Sequence, residues 1–263
     1  MRLDWSFAGK AVLIVGGSSG MGRVAAKRMA EKGAWVAVTA RSADKLASLC
    51  AEITGKGGKC LPLPADAENE EAAQAVVDEV VRQFGRIDLV LLNAGGAPAI
   101  DMRSMTAGEV KRYMRSNYDV VVNYLFPVLT QMRRQGGGLV AHTNSLAGLI
   151  GVPLQGPYCA AKGAAKLLID TCRIEFAEFG IRFVTIYPGF VATEATANDG
   201  MPAPMEISEE KGTDHILRAI ETMKADYLFP PAMAFLTRFA LMLPRGLRER
   251  ILARDLPPLA SSN

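Results

Sequence analysis

A chain of 263 residues with 49% hydrophobic side chains can bury a large core, and its length suits one α/β domain, expected to span residues 1–263. Lysine and arginine number 30 against 27 acidic residues, a net charge of +3 without a basic run, which argues against a nucleic-acid partner. Cys50, Cys60, Cys159 and Cys172 show no paired spacing and His142 and His215 lie far apart, so neither a disulfide framework nor a metal site is expected. The first ten residues hold no apolar signal core, and no uncharged apolar run reaches the ~18 residues of a membrane span. The compartment that follows is a reducing cytoplasm.

In chain order, residues 11–15 form a short apolar run, read as a buried strand. Gly16-Gly17-Ser18-Ser19-Gly20-Met21-Gly22 follows, then a helical pattern that closes at Gly33. Residues 35–39 read as a second strand and 59–63 as a third, the latter weakened by its prolines. A helix is expected over 69–84 with Val76, Val77, Val80 and Val81 on one face, and a fourth strand over 87–92 runs into Asn93-Ala94-Gly95-Gly96. A long helical pattern covers 106–135, with Pro127 as the candidate bend. Strands at 139–143 and 182–186 enclose a helix that starts near Tyr158 and stops at Gly180. The sixth strand leads to Pro188-Gly189, and residues 226–229 could form a last strand. Strand and helix alternate throughout, which predicts a doubly wound parallel sheet of about seven strands with helices on both faces.

Three stretches carry chemistry. Gly16, Gly20 and Gly22 lie between a strand and a helix, where the backbone can approach a pyrophosphate closely and the helix N-terminus offers free N–H groups. Ser18 and Ser19 add hydroxyl donors, and the strand–turn–helix context ranks dinucleotide binding above a merely structural turn. At the end of the second strand Ala40 stands where an acid would bond a ribose 2′-hydroxyl, and Arg41 follows. An arginine there suits a 2′-phosphate, so NADP(H) is preferred and NAD(H) is allowed; the alternative for Arg41 is an exposed arginine with no ligand. Finally, Ser145 precedes Tyr158 by thirteen residues and Lys162 follows it by four, one helical turn on. An ammonium beside a phenol would lower the phenol pKa from ~10 toward the working pH and ready it for proton transfer at a carbonyl or alcohol oxygen.

Taken together, the glycine loop, Asn93-Ala94-Gly95, Ser145, Tyr158-x-x-x-Lys162 and Pro188-Gly189 resemble the short-chain dehydrogenase/reductase family in order and spacing, over about residues 8–195. Val15 and Leu92 depart from it, where the family usually has threonine and asparagine. The resemblance implies a Rossmann fold and a catalytic tetrad of Asn117, Ser145, Tyr158 and Lys162. In it Tyr158 is the general acid or base, Lys162 lowers its pKa and bonds the nicotinamide ribose, Ser145 orients the substrate oxygen, and Asn117 holds a proton-relaying water. Cofactor contacts would come from Gly16, Ser18, Ser19, Gly20, Met21, Gly22, Arg41, Asp66 beside the adenine with Ala67, Asn93, Ala94, Gly95, Pro188, Gly189, Val191 and Thr193 at the nicotinamide amide. It also implies a homodimer or homotetramer through the two long helices, to which Val120, Val121, Leu125, Leu168, Cys172 and Phe176 would give surplus apolar surface. A weaker likeness, resting on Ala40-Arg41 and the 190–208 stretch, points to bacterial reductases near the 3-ketodihydrosphingosine reductases.

The expected reaction is NADP(H)-dependent interconversion of a ketone and a secondary alcohol, both small molecules and lipophilic in character. A 3-keto-lipid reductase is the narrower alternative. A non-catalytic nucleotide sensor or scaffold is the alternative of another class, and the retained tyrosine and lysine speak against it. Residues 190–208 would form an apolar lid over the site. The apolar segment that begins at 232 and ends in arginines by 254 admits three readings: a cap on the pocket, a subunit contact, or a peripheral membrane contact, of which the first two are preferred. His142 is expected to be a hydrogen-bonded core residue, Cys159 a small packing residue and His215 part of a surface helix.

Overall fold

The computed structural model describes residues 5–96, 99–193 and 203–256. Its elements run β1 (Ala11–Val15), α1 (Gly20–Glu31), β2 (Trp35–Ala40), α2 (Ala43–Gly55), β3 (Lys59–Pro64), α3 (Glu70–Phe84) and β4 (Leu89–Leu92), followed by α4 (Ala107–Met114), α5 (Val120–Arg134), β5 (Gly138–Thr143), α6 (Gly156–Glu175) and β6 (Ile181–Pro188). A short pair, β7 (Val191–Ala192) and β8 (Ile207–Ser208), leads into α7 (Glu209–Glu221), β9 (Asp226–Phe229), α8 (Pro231–Met242) and α9 (Arg245–Leu252). Seven strands pair in the order β3-β2-β1-β4-β5-β6-β9, every neighbour parallel.

Parallel strands covered on both faces should read as continuous apolar runs, and AVLIV in β1 and LVLL in β4 do. Val12 and Ile14 pack with α1, α2 and α7 on one face, Leu13 and Val15 with α3, α5 and α6 on the other. Each such fully buried aliphatic side chain contributes about 1.5–3 kcal/mol. Pro62 and Pro64 are accommodated because β3 is an edge strand, bonded to β2 alone.

Strand order reverses between β1 and β4, the position at which doubly wound sheets bind ligands beyond the strand C-termini. Val15 pairs with both Thr39 and Leu92, and Leu92 with His142, so one row of residues closes the sheet. Gly16, Ala40, Asn93 and Thr143 form the next row, and the site is built there.

Four expectations change. The long helical pattern bends at a π-turn, Arg115–Asp119, which separates α4 from α5, while Pro127 sits inside α5. Cys50 and Cys60 form a disulfide, their Cα atoms 5.0 Å apart, because α2 folds back so that its inner face meets β3. The 43–55 helix that creates this proximity carries only a modest apolar stripe. Val120, Val121, Leu125 and Cys172 are buried against the sheet of their own chain, and the exposed apolar residues of α5 and α6 are instead Phe126, Leu167 and Ile174. His142 is fully buried on β5, but neither ring nitrogen has a hydrogen-bond partner among the described residues. Its burial, with the Lys162 charge adding, holds it well below the usual imidazole range. Cys159 is buried as expected, and burial pushes its thiol up. His215 lies on α7, stacked on Phe229 and bonded to the Tyr227 hydroxyl at 3.2 Å.

Candidate active site

A cleft of about 2140 Å³ opens along the C-terminal ends of the strands. Eighteen of the twenty sequence-derived site residues line it, from Gly16 and Arg41 through Asp66, Ala67 and Ala94 to Ser145, Tyr158, Lys162, Pro188, Gly189, Val191 and Thr193. Gly22 and Asn117 do not, and both act from behind the wall. A Cβ on Gly22 would run into the Gly16 carbonyl oxygen and lie 2.9 Å from Asn93 Nδ2, so this position holds the first helical turn tightly against the loop. Gly16 takes φ +85°, and a side chain there would meet the Ala94 backbone at 2.8 Å.

The glycine end fits a dinucleotide on its own geometry. Ser19 precedes α1 without capping it through its side chain, so the helix N-terminus faces the cleft without that acceptor. Asn93 Nδ2 donates to the Gly16 carbonyl at 3.4 Å, while its Oδ1 is buried without a partner among the described residues. At the far end, Arg41 is exposed at the mouth of the cleft with Ser42 and Lys45, and no acid stands at position 40. Asp66 Oδ1 accepts from the Glu68 N–H at 3.1 Å, which fixes the turn after β3.

At the other end α6 starts at Gly156 with Pro157 in its first turn, where the missing N–H costs nothing. Tyr158 shows part of its ring to the cleft, whereas Lys162 is 3% exposed. Lys162 Nζ lies 5.7 Å from the Tyr158 ring centroid and donates to the Thr143 carbonyl at 2.9 Å. Burial pushes the Lys162 ammonium down to about 8. Burial likewise pushes the Tyr158 phenol up to about 12, and a hydrogen bond to Ser145 opposes that shift. The phenol pKa therefore rises, contrary to the sequence expectation, because loss of solvent outweighs the nearby ammonium.

Asn117 is buried within the π-turn, not solvated; its Oδ1 accepts from the Gly96 N–H at 2.9 Å and its Nδ2 donates to the Tyr113 carbonyl at 3.2 Å. Gly95, at φ +145°, lies between two functional groups: a Cβ there would stand 2.8 Å from Asn117 Oδ1 and 3.5 Å from Lys162 Nζ.

Sequence reasoning missed Asn144. Its Nδ2 donates to the Lys162 carbonyl at 2.9 Å and its Oδ1 accepts from the Ser145 N–H at 2.8 Å, which ties α6 to the serine turn. Its place at the end of a strand, directly before the serine, was the available signal. Met233 and Thr237 of α8 also line the cleft, beside Leu146, Ile150 and Phe190. The C-terminal segment thus caps the substrate end. Most of the expected lid, residues 194–202, lies outside the described residues. Among the described residues no helix is long and apolar enough to cross a membrane, and no cluster of metal-ligating side chains occurs.

A family model for short chain dehydrogenase matches residues 10–202. The chain belongs to the short-chain dehydrogenase/reductase family. It is 34% identical over 195 residues to levodione reductase of Leifsonia aquatica, covering 73% of each chain. It is 32% identical over 193 residues to L-rhamnose 1-dehydrogenase (NAD(P)(+)) of Sphingomonas sp. strain SKA58, covering 73% of this chain and 76% of that one. The fold superposes on a short-chain type dehydrogenase/reductase from Mycobacterium marinum with a TM-score of 0.78 at 29% identity, covering 85% of this chain and 95% of the other. The chain is therefore an oxidoreductase that moves a hydride between a nicotinamide cofactor and a CH–OH or C=O group.

Proposed function

We propose that this enzyme interconverts a lipophilic ketone and its secondary alcohol with NADP(H), using Asn117, Ser145, Tyr158 and Lys162. The observation that carries the reading is the meeting of Ser145, Tyr158 and the buried Lys162 at the strand ends, beside a helix N-terminus able to hold a pyrophosphate. The cofactor, when bound, supplies or takes up the hydride. Ser145 and Tyr158 both reach the substrate oxygen by hydrogen bonds. In reduction the Tyr158 hydroxyl gives its proton to that oxygen, and in oxidation the phenolate takes it back. The Lys162 ammonium stabilises the phenolate left behind. The point left bare above Gly95, between Asn117 Oδ1 and Lys162 Nζ, gives room for one water to pass a proton to the lysine.

Arg41 and the missing acid at position 40 support the 2′-phosphate of NADP(H) over NAD(H). Leu146, Ile150, Val152, Phe190 and Met233 give the substrate end an apolar lining, which supports a lipophilic substrate and favours the 3-keto-lipid reading among the narrower ones. Residues 1–263 are read as one catalytic unit, working as a homodimer or homotetramer in the cytoplasm. The test is a panel of ketones, alcohols and 3-keto lipids assayed with each cofactor by nicotinamide absorbance. Turnover of apolar ketones with NADPH is expected. A marked preference for polar sugars, or for NADH, would overturn the corresponding part of the reading.

A further inference from the structure

Eight of the thirteen exposed large apolar side chains among the described residues fall between Phe235 and Leu256. Phe235, Phe239 and Met242 share the outer face of α8, opposite Ala234 and Thr237, which are buried. Phe235 and Phe239 stack in the open with ring centroids 6.4 Å apart, and they are 68% and 52% exposed. Leu247 and Ile251 extend this surface along α9. Contiguous exposed apolar surface of this kind marks an interaction site.

Charge identifies the partner. Between residues 231 and 256 stand Arg238, Arg245, Arg248, Arg250 and Arg254 against Glu249 and Asp255, a balance of +3 that equals the whole chain's formal charge. The rest of the molecule is neutral overall. Two copies meeting through this face about a two-fold axis would set arginines against arginines. An anionic surface would be attracted to it. Helices with Phe and Leu on one side and arginines beside them lie in the headgroup region of bilayers.

We propose that α8 and α9 dock this enzyme reversibly on an anionic lipid bilayer. This departs from the preference that the sequence alone gave to a cap or a subunit contact, because α8 has two working faces. Met233 and Thr237 line the cleft while Phe235, Phe239 and Met242 face away. A smaller cavity of about 380 Å³ lies between α9 and the 149–151 turn, lined by Arg245, Arg248, Leu241 and Ile150. Ile150 lines the main cleft as well, so the docking face borders the substrate entrance. A bilayer held there would present apolar substrates where they enter. Docking does not depend on the reaction assigned above, since vesicle binding is read without turnover.

The experiment is flotation of the full chain with phosphatidylcholine vesicles and with vesicles of equal phosphatidylcholine and phosphatidylglycerol, at low and high salt. Binding to the anionic vesicles is expected to exceed binding to the neutral ones by about ten-fold or more, and to fall with salt. Phe235→Ser with Phe239→Ser, and separately Arg238→Glu with Arg250→Glu, should each lower binding about ten-fold while leaving the circular dichroism melt intact. Absence of wild-type binding, equal binding to both vesicle types, or unchanged binding of both variants overturns the proposal. Should the phenylalanine variant instead convert an oligomer to a smaller species by light scattering, with no wild-type flotation, the face belongs to a second copy and the proposal fails.

Discussion

Lys162 Nζ donates to the Thr143 carbonyl at 2.9 Å, so the ammonium beside the reactive phenol is held by the end of a central strand. Burial pushes it down to about 8 from an ordinary value of 10.5. Between those two values the unfolded chain binds more protons than the folded one at this site, so the site makes stability rise with pH across that window. The full shift corresponds to about 3 kcal/mol. Lys162→Met removes this linkage, and it also costs the Thr143 carbonyl a donor worth about 1–3 kcal/mol. The informative quantity is therefore the slope, not stability at one pH. Chemical denaturation from about pH 8 to about pH 10 should show a stability rise in the wild type that the Met variant lacks. Identical slopes would mean that Lys162 titrates normally.

Tyr158→Phe should keep the fold and cofactor affinity and lower turnover by about 10²–10⁴-fold. Burial pushes the phenol up to about 12, so the proton needed for reduction is present throughout the neutral range. Reduction should carry no loss from phenol ionisation up to about pH 10, while oxidation, which needs the phenolate, should climb over the same range. Steady-state profiles in both directions decide this. An oxidation rate flat with pH would place the base elsewhere, and a Phe variant with near wild-type turnover would remove Tyr158 from the chemistry.

The legible parts of this chain were those where local pattern and tertiary role coincide. The runs of β1 and β4 are apolar throughout because both sheet faces are covered, and the loops after them are forced to use Gly16, Gly22 and Gly95 by backbone approach. Tyr158 and Lys162 were readable because their relation is one helical turn. The helix α2 was missed, and with it the nearness of Cys50 to Cys60, since that contact arises only when the helix folds back on β3. Pro127 drew the bend away from the π-turn at Arg115–Asp119, which has no local sequence signal. The direction of the Tyr158 shift was misread because burial depends on everything packed around the residue, whereas the partner at four residues' distance is visible in the sequence.

Gly22→Ala tests the phosphate loop. Its added methyl meets the Gly16 carbonyl oxygen, a backbone atom that cannot swing aside. A loss of about 1–3 kcal/mol in stability and at least about ten-fold in cofactor affinity is expected. Gly108→Ala is the control, because a Cβ on α4 there has nothing nearer than 3.9 Å. Fluorescence titration with NADPH, beside thermal melts, distinguishes the two, and equal behaviour of both variants would refute the tight-loop argument.

Arg41→Ala should weaken NADPH by about 1.5–3 kcal/mol, the range for a hydrogen bond to a charged group, and leave NADH nearly unchanged. Calorimetric titration of both cofactors measures it. Equal losses for the two, or equal wild-type affinities, would show that the guanidinium does not read the 2′-phosphate.

Assembly through α5 and α6 is the last prediction. Phe126, Leu167 and Ile174 are 45%, 67% and 79% exposed, and Leu167 and Ile174 stand two turns apart on one side of α6. The opposite side of the same helix carries Lys162, Ile169 and Cys172 into the chain's own interior. The helix that bears the catalytic tyrosine thus presents an apolar stripe outward, and packing it against a second copy would hold that helix still. Its one flanking ion pair of short reach, Lys166 with Asp170 at 2.6 Å, leaves the stripe without a strong net charge to oppose self-association. Size exclusion with light scattering should give at least twice the 28.2 kDa of one chain. Leu167→Glu with Ile174→Glu should shift the mass toward one chain and lower turnover, while Phe235→Ser with Phe239→Ser on α8 should leave the mass unchanged. A wild-type mass that stays at one chain on concentration would sink the prediction, and dissociation by the α8 variant alone would move the interface to the C-terminal helices.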